Sequence, residues 1–239
     1  MKIVLEELEK RNLGVETVSI NVEQNDAYEE VENALKETKS EYLVLKIPSN
    51  MTQITPLAHK YGYTFVEDMM FFEHNLQPIK RTKLQQRLYD AVKITTMKDE
   101  DFEILYQEIN NGSFSFDRIS NDPYFGQEVA NRRFTNWIND ERERGAEFLK
   151  ATIKGEMTGF FSIREVKPGV YTSALGGTFM KWRKGGLGTN VQTPEVVKAR
   201  GGKKVILGVS TNNMIQIRAL IQNGYFPTKA NHVFIKHCD

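Results

Sequence analysis

Trp182-Arg183-Lys184-Gly185-Gly186-Leu187-Gly188-Thr189 is the stretch on which the fold reading turns. It follows an apolar strand pattern, VYTSALGGTFM at 170–180, and precedes a helical stretch that ends at Gly201-Gly202. Glycines let the backbone turn with its amides pointing into one space, and the next helix start adds N–H groups without helical partners. An anion there gains roughly 0.3–1 kcal/mol from the helix dipole alone, and Arg183 and Lys184 supply counter-charge. Two readings stand: a phosphate cradle, or a plain glycine-rich turn with solvated basic residues. The stretch lacks the GxxxxGK[ST] of a P-loop, and it lies after a strand meander, whereas a GxGxxG dinucleotide site occupies the first βα turn. Pro194 lies beyond the first turn of the following helix and predicts a kink or split there.

Working outward, the sequence predicts strands at 146–153, 157–166 and 170–180. Their connections, Lys154-Gly155-Glu156 and Lys167-Pro168-Gly169, have tight-turn chemistry, so the three are antiparallel neighbours. Before them lie a strand (92–96), a helix (98–109), a long loop (110–125) and a helix (127–144); after the cradle come a strand (203–210), a helix (213–223) and a strand (232–236). This order predicts an α/β fold with a mixed sheet flanked by helices. Towards the N-terminus, helical periodicity at 26–38 and 53–61 alternates with apolar strands at 42–48 and 63–74. The polar, basic stretch 76–88 reads as a linker or exposed helix, which gives a smaller N-terminal α/β domain over 1–85 and a second domain over 86–239.

The 239 residues hold 32 Lys+Arg against 31 Asp+Glu, a net charge of +1, with 40% hydrophobic and 26% charged residues. That composition excludes a disordered chain, and near-neutral charge argues against nucleic acid as a partner. No apolar run approaches the roughly 18 residues of a membrane span. The start, MKIVLEELEKRN, has acids where a signal peptide needs an apolar core, and Cys238 is the single cysteine, so a cytoplasmic protein is expected. His232 and His237 differ by an odd number along a strand and face opposite sides, so no metal pair is expected.

Arg183-x-x-Gly186-x-Gly188 resembles the acyl-CoA pyrophosphate motif, R/Q-x-x-G-x-G/A, of the GNAT superfamily of N-acetyltransferases, and VSTNNMIQIRALIQNGY (209–225) resembles that superfamily's next block. The predicted element order is also theirs, over residues 90–237. A narrower resemblance, to the dTDP-fucosamine (dTDP-4-amino-4,6-dideoxygalactose) acetyltransferase branch, rests on YLVLKIPSN…HKYGYTFVED (42–68) and FSFDRISNDPYF…ANRRFTNWI (114–138). The resemblance implies an acetyl-CoA-dependent N-acetyltransferase acting on a small amine, with an amino-deoxy sugar nucleotide as the leading acceptor. Protein or peptide amine acetylation and a catalytically silent acyl-CoA-binding protein are the alternatives, and a homodimer is compatible with either enzyme.

The resemblance also implies site residues. The cofactor's pyrophosphate falls to Arg183, Lys184, Gly185, Gly186, Leu187, Gly188 and Thr189. The amides of Thr178, Phe179 and Met180 become thioester-carbonyl donors, and Asn213 faces the pantetheine or simply caps its helix. Where many relatives carry a Tyr that protonates the leaving thiolate, this chain has Leu220, which has no proton to give. Tyr225, His232 and Glu165 are the remaining catalytic candidates, each with a plainer reading: core packing, a surface histidine and an exposed acid. The loop at 110–125 exceeds the usual connection length, and its Phe114, Phe116, Arg118 and Tyr124 are candidate acceptor contacts.

Overall fold

A computed structural model describes residues 1–185 and 192–238. The N-terminal segment runs β1 (Lys2–Leu5), α1 (Glu7–Leu13), β2 (Thr17–Asn21), α2 (Tyr28–Glu37), β3 (Tyr42–Pro48), α3 (Thr55–Lys60) and β4 (Thr64–His74). Helix α2 buries Val31, Ala34 and Leu35, the i, i+3, i+4 stripe of an amphipathic helix. The stretch expected as a linker or exposed helix contains α4 (Lys83–Ala91), which buries none of its residues and whose N-cap Thr82 and Gln85 bond reciprocally. Arg81 lies over the Tyr89 ring, 3.8 Å from its centroid, and pairs with Glu195 at 2.6 Å.

The rest comprises β5 (Lys93–Thr96), α5 (Asp99–Asn110), α6 (Gly126–Glu143), β6 (Glu147–Ile153), β7 (Glu156–Lys167), β8 (Val170–Thr172), β9 (Gly176–Thr178), α7 (Thr193–Ala199), β10 (Lys204–Ser210), α8 (Met214–Gln222) and β11 (Phe226–His237). The β6–β7 and β7–β8 turns place Lys154, Gly155 and Gly169 at positive φ, so the expected meander forms. Pro194 sits in the opening turn of α7, where its missing N–H costs no helical bond; it starts this helix and does not kink it.

The strands join in one mixed sheet, in the order β1-β2-β3-β11-β4-β10-β8-β7-β6-β5, with β9 on β7. Strand β4 lies between β10 and β11, antiparallel to both, so hydrogen-bonded pairing runs straight through the boundary expected near residue 85. Strand β3 is covered on both faces. Leu43, Leu45 and Ile47 pack with α2 and α3, while Tyr42 and Val44 pack with Ile119, Phe125 and Ala130. Burial on both faces is why YLVLKIP reads as an unbroken apolar run rather than an alternating one. Two further clusters fill the other half of the sheet: one under α7 and α8 around Leu207 and Ile217, and one under α5 and α6 around Leu105, Ile138 and Phe160.

The expected strand 170–180 is divided. Strand β8 pairs in parallel with β10 through Lys204–Ile206, and the last link is Ser173 N–H to the Ile206 carbonyl at 3.2 Å. The chain then leaves β10: Leu175 turns into the core, exchanges bonds with Ser162, and β9 follows β7 alone. The result is an opening between β9 and the end of β10.

Candidate active site in the strand split

The opening is a pocket of about 170 Å³. The strand departure at Ser173–Gly176 forms one wall and Leu207–Ser210 of β10 the other, with Asn213 and Gln216 of α8 at one end. Phe114, Phe116 and Asp117 of the long loop, with Phe134 and Trp137 of α6, close over it. Phe114 stacks on Phe134 (ring centroids 5.1 Å apart) and meets Phe160 edge-on at 5.6 Å, which fixes the lid-like loop to the core. A Cβ on Gly177 would collide with the Phe114 ring, so that close approach requires glycine.

Most lining groups are apolar, so the few polar ones decide the chemistry. The Ser173 hydroxyl and the Gln216 side-chain N–H₂ are buried without a hydrogen-bond partner. Unsatisfied buried donors cost free energy, and a ligand carrying amide or thioester carbonyls in the split would satisfy them. The Asn213 side chain accepts from Gln216 N–H at 3.2 Å, capping α8, and the residue also lines the pocket. Asp117 faces the pocket while its Oδ1 accepts from the amides of Ile119 and Ser120 at 2.8 and 2.9 Å.

Behind this end of the pocket lies a buried charge cluster that the sequence reading did not single out. Glu9 of α1 accepts from Arg133 of α6 at 2.7–3.1 Å and from Arg118 at 2.8 Å. Burial alone would raise the Glu9 carboxyl, but the two guanidiniums outweigh it and hold it at about 2. Glu67 of β4 is 2% exposed, with Oε2 unpartnered. Its carboxyl is pushed up by burial, an effect partly offset by the neighbouring Ser210 hydroxyl. Lys46 of β3, in the same cross-strand row, is pushed down by burial. The signal available in the sequence was the pair of acids Glu67-Asp68 within the otherwise apolar run YTFVEDMMFF; of the two, Glu67 is the buried one.

The expected site residues divide. Phe114 and Phe116 line the pocket. Arg118 is half-buried and paired with Glu9 instead, and Tyr124 is exposed, stacked on His237 at 4.2 Å. Thr178 ends β9 opposite Gly159. The amides expected as thioester donors have other acceptors: Phe179 N–H bonds the Thr158 carbonyl at 2.9 Å, and Met180 N–H the Ser113 hydroxyl at 3.4 Å. Ser173–Gly176, a few residues earlier, are the part of this segment that walls the split.

A 3-10 turn, Met180–Gly185, carries the backbone of Lys184 and Gly185. Arg183 points inward, bonding the carbonyls of Ser113 and Thr178 with its guanidinium over the Phe116 ring, and burial pushes its pKa down. Gly186, Leu187, Gly188 and Thr189 lie outside the described residues.

Leu220 is 1% exposed and packs in the cluster under α8 with Ile217 and Leu207. Tyr225 is buried against His74, ring centroids 4.9 Å apart, with its hydroxyl unpartnered and its pKa raised by burial. His232 pairs with Asp68 at 2.5 Å in a separate shallow pocket with His59 and Phe65. The Glu165 carboxylate accepts from Gly169 N–H within the β7–β8 turn. None of these four walls the split. Among the described residues no group of three or more His, Cys, Asp or Glu is placed to hold a metal, and no helix is long and apolar enough to cross a membrane.

No protein-family model matches the sequence, and no curated protein does. Among solved structures the chain is similar to a functionally unknown conserved protein from Staphylococcus epidermidis, with a TM-score of 0.62 at 13% identity over 94% of this chain and 85% of that one. It is similar to a GCN5-related N-acetyltransferase from Sphaerobacter thermophilus, with a TM-score of 0.60 at 15% identity over 99% of this chain and 75% of that one. A GCN5-related N-acetyltransferase from Kribbella flavida gives 0.54 at 13% identity, over 94% and 82%. At these identities the likeness is one of architecture: the chain has the mixed α/β fold of GCN5-related N-acetyltransferases, the GNAT fold.

Proposed function

We propose that the protein is an acetyl-CoA-dependent N-acetyltransferase that modifies a small amine in the cytoplasm. The observation that carries this reading is the split itself. Two parallel neighbours part at Ser173, and the gap is lined by unpartnered donors from Ser173 and Gln216. An acyl-pantetheine arm is narrow, apolar in part and rich in carbonyl acceptors, and such a gap suits it. The resemblance of Arg183-x-x-Gly186-x-Gly188 to a pyrophosphate motif points the rest of the cofactor towards the turn after β9. The likeness to the sugar branch adds an amino-deoxy sugar nucleotide as acceptor. However, the described lining holds no Lys or Arg to meet a diphosphate, which favours a small amine that carries none.

Calorimetric titration with CoA, followed by thiol release from acetyl-CoA with a panel of amines, tests the reading. Binding together with amine-dependent thiol release is the expected result. A folded protein that ignores millimolar CoA would overturn the proposal. Burial of Leu220 in the core favours a second reading, a protein that binds acyl-CoA without turnover; binding with no thiol release on any amine would establish it.

A further inference from the structure

Glu67 is a buried acid whose neighbour Ser210 lines the split. Ser210 pairs directly with Met69 across the β10–β4 ladder, and Glu67 lies two residues along from Met69, on the same face of the sheet. Such diagonal neighbours are within reach of long side chains. Ser210, Met69 and Asp117 all wall the pocket, and Glu67 sits behind them with Oε2 unpartnered.

We propose that Ser210 and Glu67 together take the ammonium proton of the acceptor, that Asp117 holds that cation in the pocket, and that the acceptor is a primary amine carried on an apolar or aromatic body. The inference rests on the acetyl-transfer reading. The amine body lies among Phe116, Phe134 and Trp137, a wall that favours cations by their ring faces as well as apolar groups. The ammonium gives a proton to Ser210 Oγ as the Ser210 proton moves to Glu67. The neutral amine then attacks the thioester carbonyl carbon; the C–N bond forms and the C–S bond breaks. The second nitrogen proton goes to the departing thiolate, and Glu67 returns its own proton to water. The products are amide, CoA thiol and one released proton.

Burial keeps the Glu67 carboxyl above the ordinary carboxylate range, which suits a base working near neutrality. The charged groups around it are Asp117 and Arg118 of the loop, Arg133 of α6, Glu9 of α1 and Lys46 of β3. The cations are matched by Glu9, so they attenuate the upward push without abolishing it.

The test compares 2-phenylethylamine, protonated at pH 7, with aniline, which is already neutral there. Thiol release from acetyl-CoA is followed against pH for wild type, Glu67→Gln, Ser210→Ala and Asp117→Asn. Glu67→Gln should bind CoA as wild type does and lose about 10²–10⁴-fold in kcat/KM on 2-phenylethylamine at pH 7. That loss should shrink as pH rises towards the pKa of the amine itself, while aniline turnover changes little. Ser210→Ala should show the same selectivity between amines, which settles the matter if Glu67→Gln fails to fold. Asp117→Asn should raise KM for 2-phenylethylamine with kcat near wild type. Equal losses on both amines, no loss, or a folded CoA-binding wild type inert on both amines would overturn the relay. Preference for an amino-sugar nucleotide over 2-phenylethylamine would overturn the apolar acceptor. Failure of wild type to bind CoA would instead overturn the acetyl-transfer reading beneath it.

Discussion

Glu9 shows how one residue couples distant parts of the chain. It lies on α1, yet its partners Arg118 and Arg133 belong to the loop that covers the pocket and to α6. Its carboxyl is held at about 2 against an ordinary 4.5, so its ionised form is favoured in the folded state. The stabilisation is therefore complete above about pH 4.5 and is lost as pH falls through about 2, with an upper size of about 3 kcal/mol. Glu9→Gln leaves two buried guanidiniums without their counter-charge and should cost roughly 3–5 kcal/mol at pH 7. Urea unfolding of both proteins across that pH range should show the gap closing towards pH 2. Leu220 offers the opposite case, a residue whose role is packing. Leu220→Tyr forces a larger, polar side chain into a filled cluster and should cost roughly 1–3 kcal/mol. Denaturant midpoints would show this loss, and thiol-release assays should show no gain in acetyl transfer, because the position does not reach the split.

At the scale of elements, what the sequence disclosed follows from how local each signal is. The β6–β7–β8 meander was legible because Lys154-Gly155 and Pro168-Gly169 carry turn chemistry in the chain itself. Helix α8 was legible from its Asn213 cap and its stripe through Ile217 and Leu220. The opening elements β1, α1 and β2 were not, since α1 is only seven residues long and Ile3, Val4 and Leu5 are exposed at the sheet edge. The division of 170–180 into β8 and β9 was also hidden, because the chain departs from β10, a partner some thirty residues later. For the site, Phe114, Phe116 and Asn213 were readable, whereas Ser173, Ser210, Gln216 and Glu67 gain their meaning only from cross-strand register. The contact between β9 and the loop can be tested directly. Gly177→Ala places a methyl group in the Phe114 ring and should cost roughly 1–3 kcal/mol by overpacking. Gly177→Ala combined with Phe114→Leu should recover part of that loss in a thermal melt, which would identify the ring as the obstacle.

For the whole molecule, the decisive feature is that β4 stands in the middle of the sheet. Its outer neighbour β11 is the last strand of the chain, and its inner neighbour β10 forms one wall of the split. An N-terminal segment that merely accompanied a complete folding unit would be removable without loss. Here its removal takes both ladder partners, β3 and β4, from β11, and takes β4 from β10. It also strips Phe72 and Leu76 from the cluster beneath α7 and α8, and Glu67 from behind the pocket. The exposed strand edges would invite pairing with other chains, and each large apolar side chain left uncovered forfeits roughly 1.5–3 kcal/mol of burial. A fragment of residues 86–239 should therefore aggregate, or stay soluble without native near-ultraviolet dichroism or a cooperative melt. Co-expression with a separate 1–85 chain should restore both, since the missing strand can pair in trans. A fragment that melts cooperatively alone and binds CoA as the full chain does would show instead that β10 and β11 find another arrangement, and that β4 is dispensable to the split.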